Sequence, residues 1–272
     1  MKKILSDLQR VPIYTFFIGT AACVVLLVTS TAYWGENSSL DRSLIRCLFQ
    51  TPYNRNATVL LFNVLDSPTS MTVWLMTLFP VIAVMPYASS YCGEFKTRSF
   101  YLSVSRMSHR SFCFAHFFAC GVYSVCIMLC ALLFTFILCI IGCENVFANV
   151  SVTALIRLLF SYCAYAFTLS SVCMCLCSLM LDPFVICCGV SLMIYIIVNI
   201  SAVYLTQFAD PFHKAQPNKF IYLLSIPNHA KGFPQFEELY GISYIFYVFG
   251  IIVLNIVCCS VVYACTKRRI SQ

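Results

Sequence analysis

Six apolar stretches alternate with polar segments along this chain, at about residues 13–33, 71–91, 112–141, 152–181, 184–205 and 242–265. Each is near the ~20 residues that the hydrocarbon core of a bilayer requires of a helix. Before the first of them, Ile4, Leu5, Leu8 and Val11 form one apolar stripe, while Lys2, Lys3, Asp7 and Arg10 face away from it. That pattern predicts an amphipathic helix over residues 1–12, lying in the membrane interface. Pro12 ends it and turns the chain into the bilayer. Pro80 and Pro86 fall inside the second stretch and predict a kinked helix there. The fourth and fifth stretches are joined by a minimal turn at Asp182-Pro183. The last polar segment, 206–241, is punctuated by Pro211, Pro217, Pro227 and Pro234 and carries aromatics. It is expected to dip back toward the membrane as a re-entrant segment.

Composition agrees with this pattern. The 272 residues are 61% hydrophobic and 10% charged, against about 25% charged in a soluble domain. The expected fold class is therefore an all-α membrane protein of six transmembrane helices. With no internal repeat and no low-complexity linker, residues 1–272 form one domain. The first stretch is of full span length and lacks a small-residue cleavage site, so it is read as a span rather than a leader.

The formal charge of +7 sits at the ends of the apolar runs, where it acts as an orientation signal rather than a nucleic-acid footprint. Lys2, Lys3, Arg10, Lys96, Arg98, Arg106, Arg110, Lys267, Arg268 and Arg269 fall on one side if the chain crosses six times. Arg42, Arg46, Arg55, Lys214, Lys219 and Lys231 fall on the other, in longer loops where the bias is weaker. The expected arrangement is multi-pass in the cell membrane, with both termini and the loop around Arg106 cytoplasmic.

The candidate chemistry is sparse. The 18 cysteines include no CxxC pair and no Cys/His set at zinc spacing. Most lie in apolar runs, as small polarisable packing residues do. Cys173, Cys175 and Cys177 alternate faces on a helix, which argues against a shared metal. Cys47 and Cys143 fall in the expected external loops, which leaves a disulfide between them open. Glu237-Glu238 has no arginine at the spacing of a double-glutamate membrane protease. No GxSxG, HExxH or GxxxxGK occurs, so neither an enzyme nor P-loop binding of ATP is expected. Arg157 stands about two turns inside the fourth span and reads either as a snorkelling cation or as part of a polar path. Asn199 and Asn255 read as helix–helix hydrogen bonds or as ligands on such a path.

The segment 92–116, CGEFKTRSFYLSVSRMSHRSFCFAH, is the basic loop between the second and third spans. Here the chain resembles the permease subunits of type-2 ABC transporters. Those combine an amphipathic N-terminal helix, six spans, a cytoplasmic coupling helix between spans two and three, and a re-entrant segment between spans five and six. Glu94 matches the acid that ends span two in that family, Thr97 its threonine, and Leu102-Ser103 its Leu-Ser. Arg106 to Arg110 resembles its basic Ser-Arg step. His116 stands in place of the family's lysine and Lys96 in place of its glycine, and the usual proline is absent.

The resemblance implies a permease of an ATP-driven exporter. Two separate ATPase subunits, holding ATP and Mg, would dock under the coupling residues Glu94, Phe95, Arg98, Phe100, Leu102, Arg106 and Arg110. A second permease copy or a homologue would complete the path, lined by Arg157, Asn199 and Asn255. The short chain resembles permeases of antimicrobial-peptide export or immunity. No cofactor is expected on the chain itself, and its other partner is membrane lipid. The alternative is an ATP-independent secondary transporter or channel, which would call for acidic groups or broken helices at mid-membrane. Within the coupling helix, Glu94 is expected at the start of a new helix, where the dipole favours a carboxylate.

Overall fold

The computed structural model describes residues 11–29, 31–32, 42–43, 53–56, 61, 71–101, 108–141, 143–145, 152–208 and 244–270. The expected interfacial helix, the re-entrant segment and Cys47 lie outside them, as do Leu102 and Arg106.

Helix α1 is Ile13–Val28, opened by Pro12 at its N-cap. The second apolar stretch forms α2 (Met71–Phe79), a π-helical turn (Pro80–Val84) and α3 (Met85–Lys96). Then come α4 (His109–Ile141), α5 (Val152–Met180), α6 (Pro183–Phe208) and α7 (Tyr244–Ile270). Among the described residues, four helical segments are long and apolar enough to cross a membrane: Trp74–Lys96, His109–Ile141, Leu159–Met180 and Val248–Arg269. Ile13–Val28 and Pro183–Ile197 are shorter apolar helices.

The expected kink has a specific form. A proline has no N–H and frees the carbonyl four residues before it. Pro80 frees Met76 in this way, and the chain widens into a π turn in which Met85 N–H donates to the Pro80 carbonyl. The Met76 carbonyl is taken instead by the Tyr165 hydroxyl of α5 at 2.8 Å. Inside a bilayer such a replacement is obligatory, because no water is present to satisfy the group.

The kinked helix lies at the centre of the bundle, with α1, α4, α5 and α6 packed around it. Small residues allow close approach, as in membrane bundles generally. A Cβ at Gly19 would stand 3.2 Å from Ile127 Cδ1 and 3.4 Å from the Ile82 carbonyl. Tyr87, Tyr91, Tyr162 and Tyr165 are among the largest fully buried side chains. Helix α7 packs on α4 and α5 at the periphery, and only 11% of its span is buried.

The Asp182-Pro183 turn forms as expected. Leu181 adopts a left-handed φ of 55° to close α5. Asp182 then caps α6, its Oδ1 accepting the Val185 N–H at 3.3 Å, with Pro183 at the first helical position.

Two short strand pairings were not expected. β1 (Thr31–Ala32) pairs antiparallel with β2 (Arg42–Ser43), and β3 (Tyr53–Asn56) pairs parallel with β4 (Cys143–Asn145). The second pairing holds the segments after α1 and after α4 together at one end of the bundle.

Candidate functional site

At the opposite end, four helix termini converge on a polar and aromatic cluster. Tyr87, Tyr91, Glu94 and Phe95 lie one and two turns apart on α3 and so share its inward face. Phe112 and His116 are one turn apart near the start of α4, and Thr266 and Arg269 come from the end of α7.

His116 is the centre. It is 3% exposed, and its Nε2 lies 3.6 Å from Glu94 Oε2. That distance exceeds a direct hydrogen bond but is within ion-pair reach. The Tyr87 hydroxyl lies 3.1 Å from the other ring nitrogen, Nδ1. With the proton on Nε2 facing the carboxylate, Nδ1 accepts from Tyr87, and a continuous polar line runs Tyr87–His116–Glu94 from the bundle core to its rim. Phe112 meets the imidazole edge-on at 4.5 Å. Beside it, the hydroxyls of Tyr91 and Thr266 are 3.2 Å apart. Arg269 sits over the Phe95 ring at 5.9 Å and donates to the Leu179 carbonyl at 2.8 Å. The ends of α3, α4, α5 and α7 are thus bonded to one another.

The chain leaves α3 through a built turn. Thr97 N–H and Oγ1 both donate to the Gly93 carbonyl, at 2.9 and 2.8 Å. Arg98 takes a left-handed φ of 58°, and its N–H donates to the Phe95 carbonyl at 3.2 Å. Phe100 then folds back to stack on Phe95 at 4.8 Å.

Several expectations are corrected here. Glu94 does not start a new helix but sits in the last turn of α3, where the helix dipole opposes a carboxylate. His116 beside it offsets that. Glu94 is also partly buried, 13% exposed, rather than a surface group. Phe95 and Phe100 are buried against the chain's own bundle, so neither presents a docking face. Lys96, Arg98, Tyr101 and Arg110 are exposed around the rim.

The expected path residues lie on α5, α6 and α7, in turns of those helices away from this cluster. Arg157 lies near the start of α5 and Asn199 toward the end of α6, and their side chains are outside the described set. Asn255 on α7 donates through Nδ2 to Thr168 Oγ1 at 3.0 Å, an interhelical hydrogen bond. Cys173 and Cys177 face the core, one turn apart, while Cys175 is only partly buried on another face. Sequence reasoning gave His116 only a place in a motif. Its spacing of one turn from Phe112 at the start of an apolar run was the signal available.

This cluster and the apolar helices around it define the class: an α-helical membrane protein with a cross-braced helix-end cluster. Comparison with known protein families, characterised proteins and solved structures finds no match to the chain.

Proposed function

We propose that the chain is the transmembrane permease subunit of an ATP-driven exporter of the type-2 ABC kind, working with a separate ATPase. The observation that supports it is the two-sided segment after α3. Inward, Phe95 and Phe100 are clamped to the bundle, and Glu94 is tied through His116 to Tyr87. Outward, Lys96, Arg98 and Arg110 form an exposed basic rim. A push on that rim moves the ends of α3 and α4 together, which is what coupling to an external motor requires. Six spans, cytoplasmic termini and a peptide or antimicrobial cargo belong to the same proposal, as does pairing with a second permease.

Purification of the tagged chain from its native membrane in mild detergent tests the reading. The expected result is stoichiometric recovery of a chain with a GxxxxGK[ST] motif, identified by peptide sequencing. Arg98→Glu is expected to lower that recovery about tenfold, as loss of one strong interfacial contact does, while the permease stays monodisperse. Phe100→Ala should instead destabilise the permease itself. A wild-type chain that transports as purified, with no ATPase present, would replace this reading with the ATP-independent transporter or channel.

A further inference from the structure

Helices α4, α5 and α7 enclose an open apolar groove of about 780 Å³, within the range of sites that hold small organic ligands. Phe114, Phe118, Phe160, Phe167 and Tyr263 supply much of its wall. A Cβ at Gly121 would meet the Phe167 ring at 2.3 Å, so the glycine is what lets that ring seat where it does. Among the described residues no carboxylate lines the groove, and the cation that does, Arg110, lies at the end where α4 begins.

The charge at that end is reinforced. His109 packs on Tyr263 with ring centroids 5.0 Å apart, which joins the start of α4 to the last turns of α7. Lys267 is one turn beyond Tyr263 on the same helix face and lies within electrostatic range of His109. It is exposed, as is Arg110. Among the described residues, the groove has Arg110 in its wall with Lys267 one turn past Tyr263 at the same end, and its remaining wall is apolar apart from Thr168, Asn255 and Ser260.

Its length fits one leaflet. From Arg110 to Val125 on α4 is about 22 Å at 1.5 Å per residue. Half a bilayer with its headgroup region is about 20–22 Å. An ordinary lipid-facing surface is also apolar and often ends in cations, but it is not recessed between three helices.

We propose that this groove is a binding site for an anionic phospholipid, with an acyl chain along Phe118 and Phe167 and the phosphate between Arg110 and Lys267. Phosphate recognition by two cations is a long-range charge interaction, and the groove supplies the contact area for the tail. Arg110 is shared with the basic rim of the transport reading, but lipid binding needs no ATPase and is measured without one.

Native mass spectrometry of the full-length chain tests it. The chain, delipidated in mild detergent, is given an equimolar mixture of phosphatidylglycerol, phosphatidylcholine and diacylglycerol with identical tails. One phosphatidylglycerol per chain is expected, preferred about tenfold or more over either competitor. Arg110→Gln with Lys267→Gln should bring the preference to near parity without changing thermal stability. Ala164→Trp, which fills the groove wall, should reduce retention of all three lipids. Equal retention of the three by the wild-type chain overturns the proposal, and that measurement needs no variant. If Ala164→Trp instead dissolves a dimer and leaves lipid preference intact, the groove is a chain–chain interface and the proposal also falls.

Discussion

His116 is polar on both ring nitrogens and almost fully buried. A buried polar group is tolerated only when partnered, and here Tyr87 and Glu94 are the partners. The pair is expected to be energetically coupled. In a double-mutant cycle with Glu94→Gln and His116→Ala, followed by thermal unfolding in detergent, the coupling should be about 0.5–3 kcal/mol. Additive single effects would show that the 3.6 Å contact contributes nothing. Arg98 carries a different cost. A left-handed backbone costs a non-glycine residue roughly 1–2 kcal/mol, and glycine adopts it freely at some entropic cost. Arg98→Gly should therefore raise stability by up to about 1 kcal/mol while removing one rim cation. A lower melting temperature for Arg98→Gly would mean that the arginine side chain holds the turn. Because the glycine preserves the turn, the same variant separates the charge of the rim from its fold.

The kinked helix shows how an element's defect is absorbed by its neighbour. Pro80 removes one donor from α2, and the freed Met76 carbonyl would be an orphan in lipid without the Tyr165 hydroxyl. Tyr165→Phe keeps the ring and removes only that donor. It should destabilise the bundle by about 1–3 kcal/mol, the cost of leaving a buried acceptor unsatisfied. Restoring a residue with an N–H by Pro80→Ala in the Tyr165→Phe background should recover much of the loss. The check is denaturant titration of the single and double variants, and equal stability of Tyr165→Phe and the parent would dismiss the account. The helix ends follow the same logic. α5 ends in a left-handed Leu181, and Asp182 opens α6 immediately, so two antiparallel helices meet with no loop to spare.

Across the whole molecule, the short β3–β4 pairing and the His116 cluster mark opposite ends of the bundle. The basic segment after α3 and the basic end of α7 share one end, joined by Arg269 over Phe95. A basic end is retained on the cytoplasmic side. Single cysteines at positions 98 and 268, in a background with the native cysteines replaced, should therefore be labelled only after the membrane is opened. Labelling of either from outside intact cells would invert the orientation. The weak burial of α7 gives this same end its accessible groove.

The apolar pattern located the helices but not all their ends: α1 stops at Val28, short of the expected 33, and α3 and α7 run on to Lys96 and Ile270, past the expected 91 and 265. Observed bounds such as His109–Ile141 and Val152–Met180 lie within about three residues of those expected. Proline positions likewise determined where the second helix would bend, and Asp182-Pro183 where two helices would join. The side on which a residue faces was a different matter. Phe95 and Phe100 read as residues of a docking surface, and only the turn at Arg98 decided that both fold inward. Glu94 read as a helix start because the sequence changes from apolar to charged there. Packing against α4 instead carried α3 on to Lys96 and put His116 beside it. The groove was illegible for the same reason: Arg110, Phe167 and Tyr263 are 57 and 96 residues apart in sequence, and local pattern holds no information about which helices meet. Hydrophobic periodicity records what each helix must hide from water, while tertiary contact alone determines what it hides against.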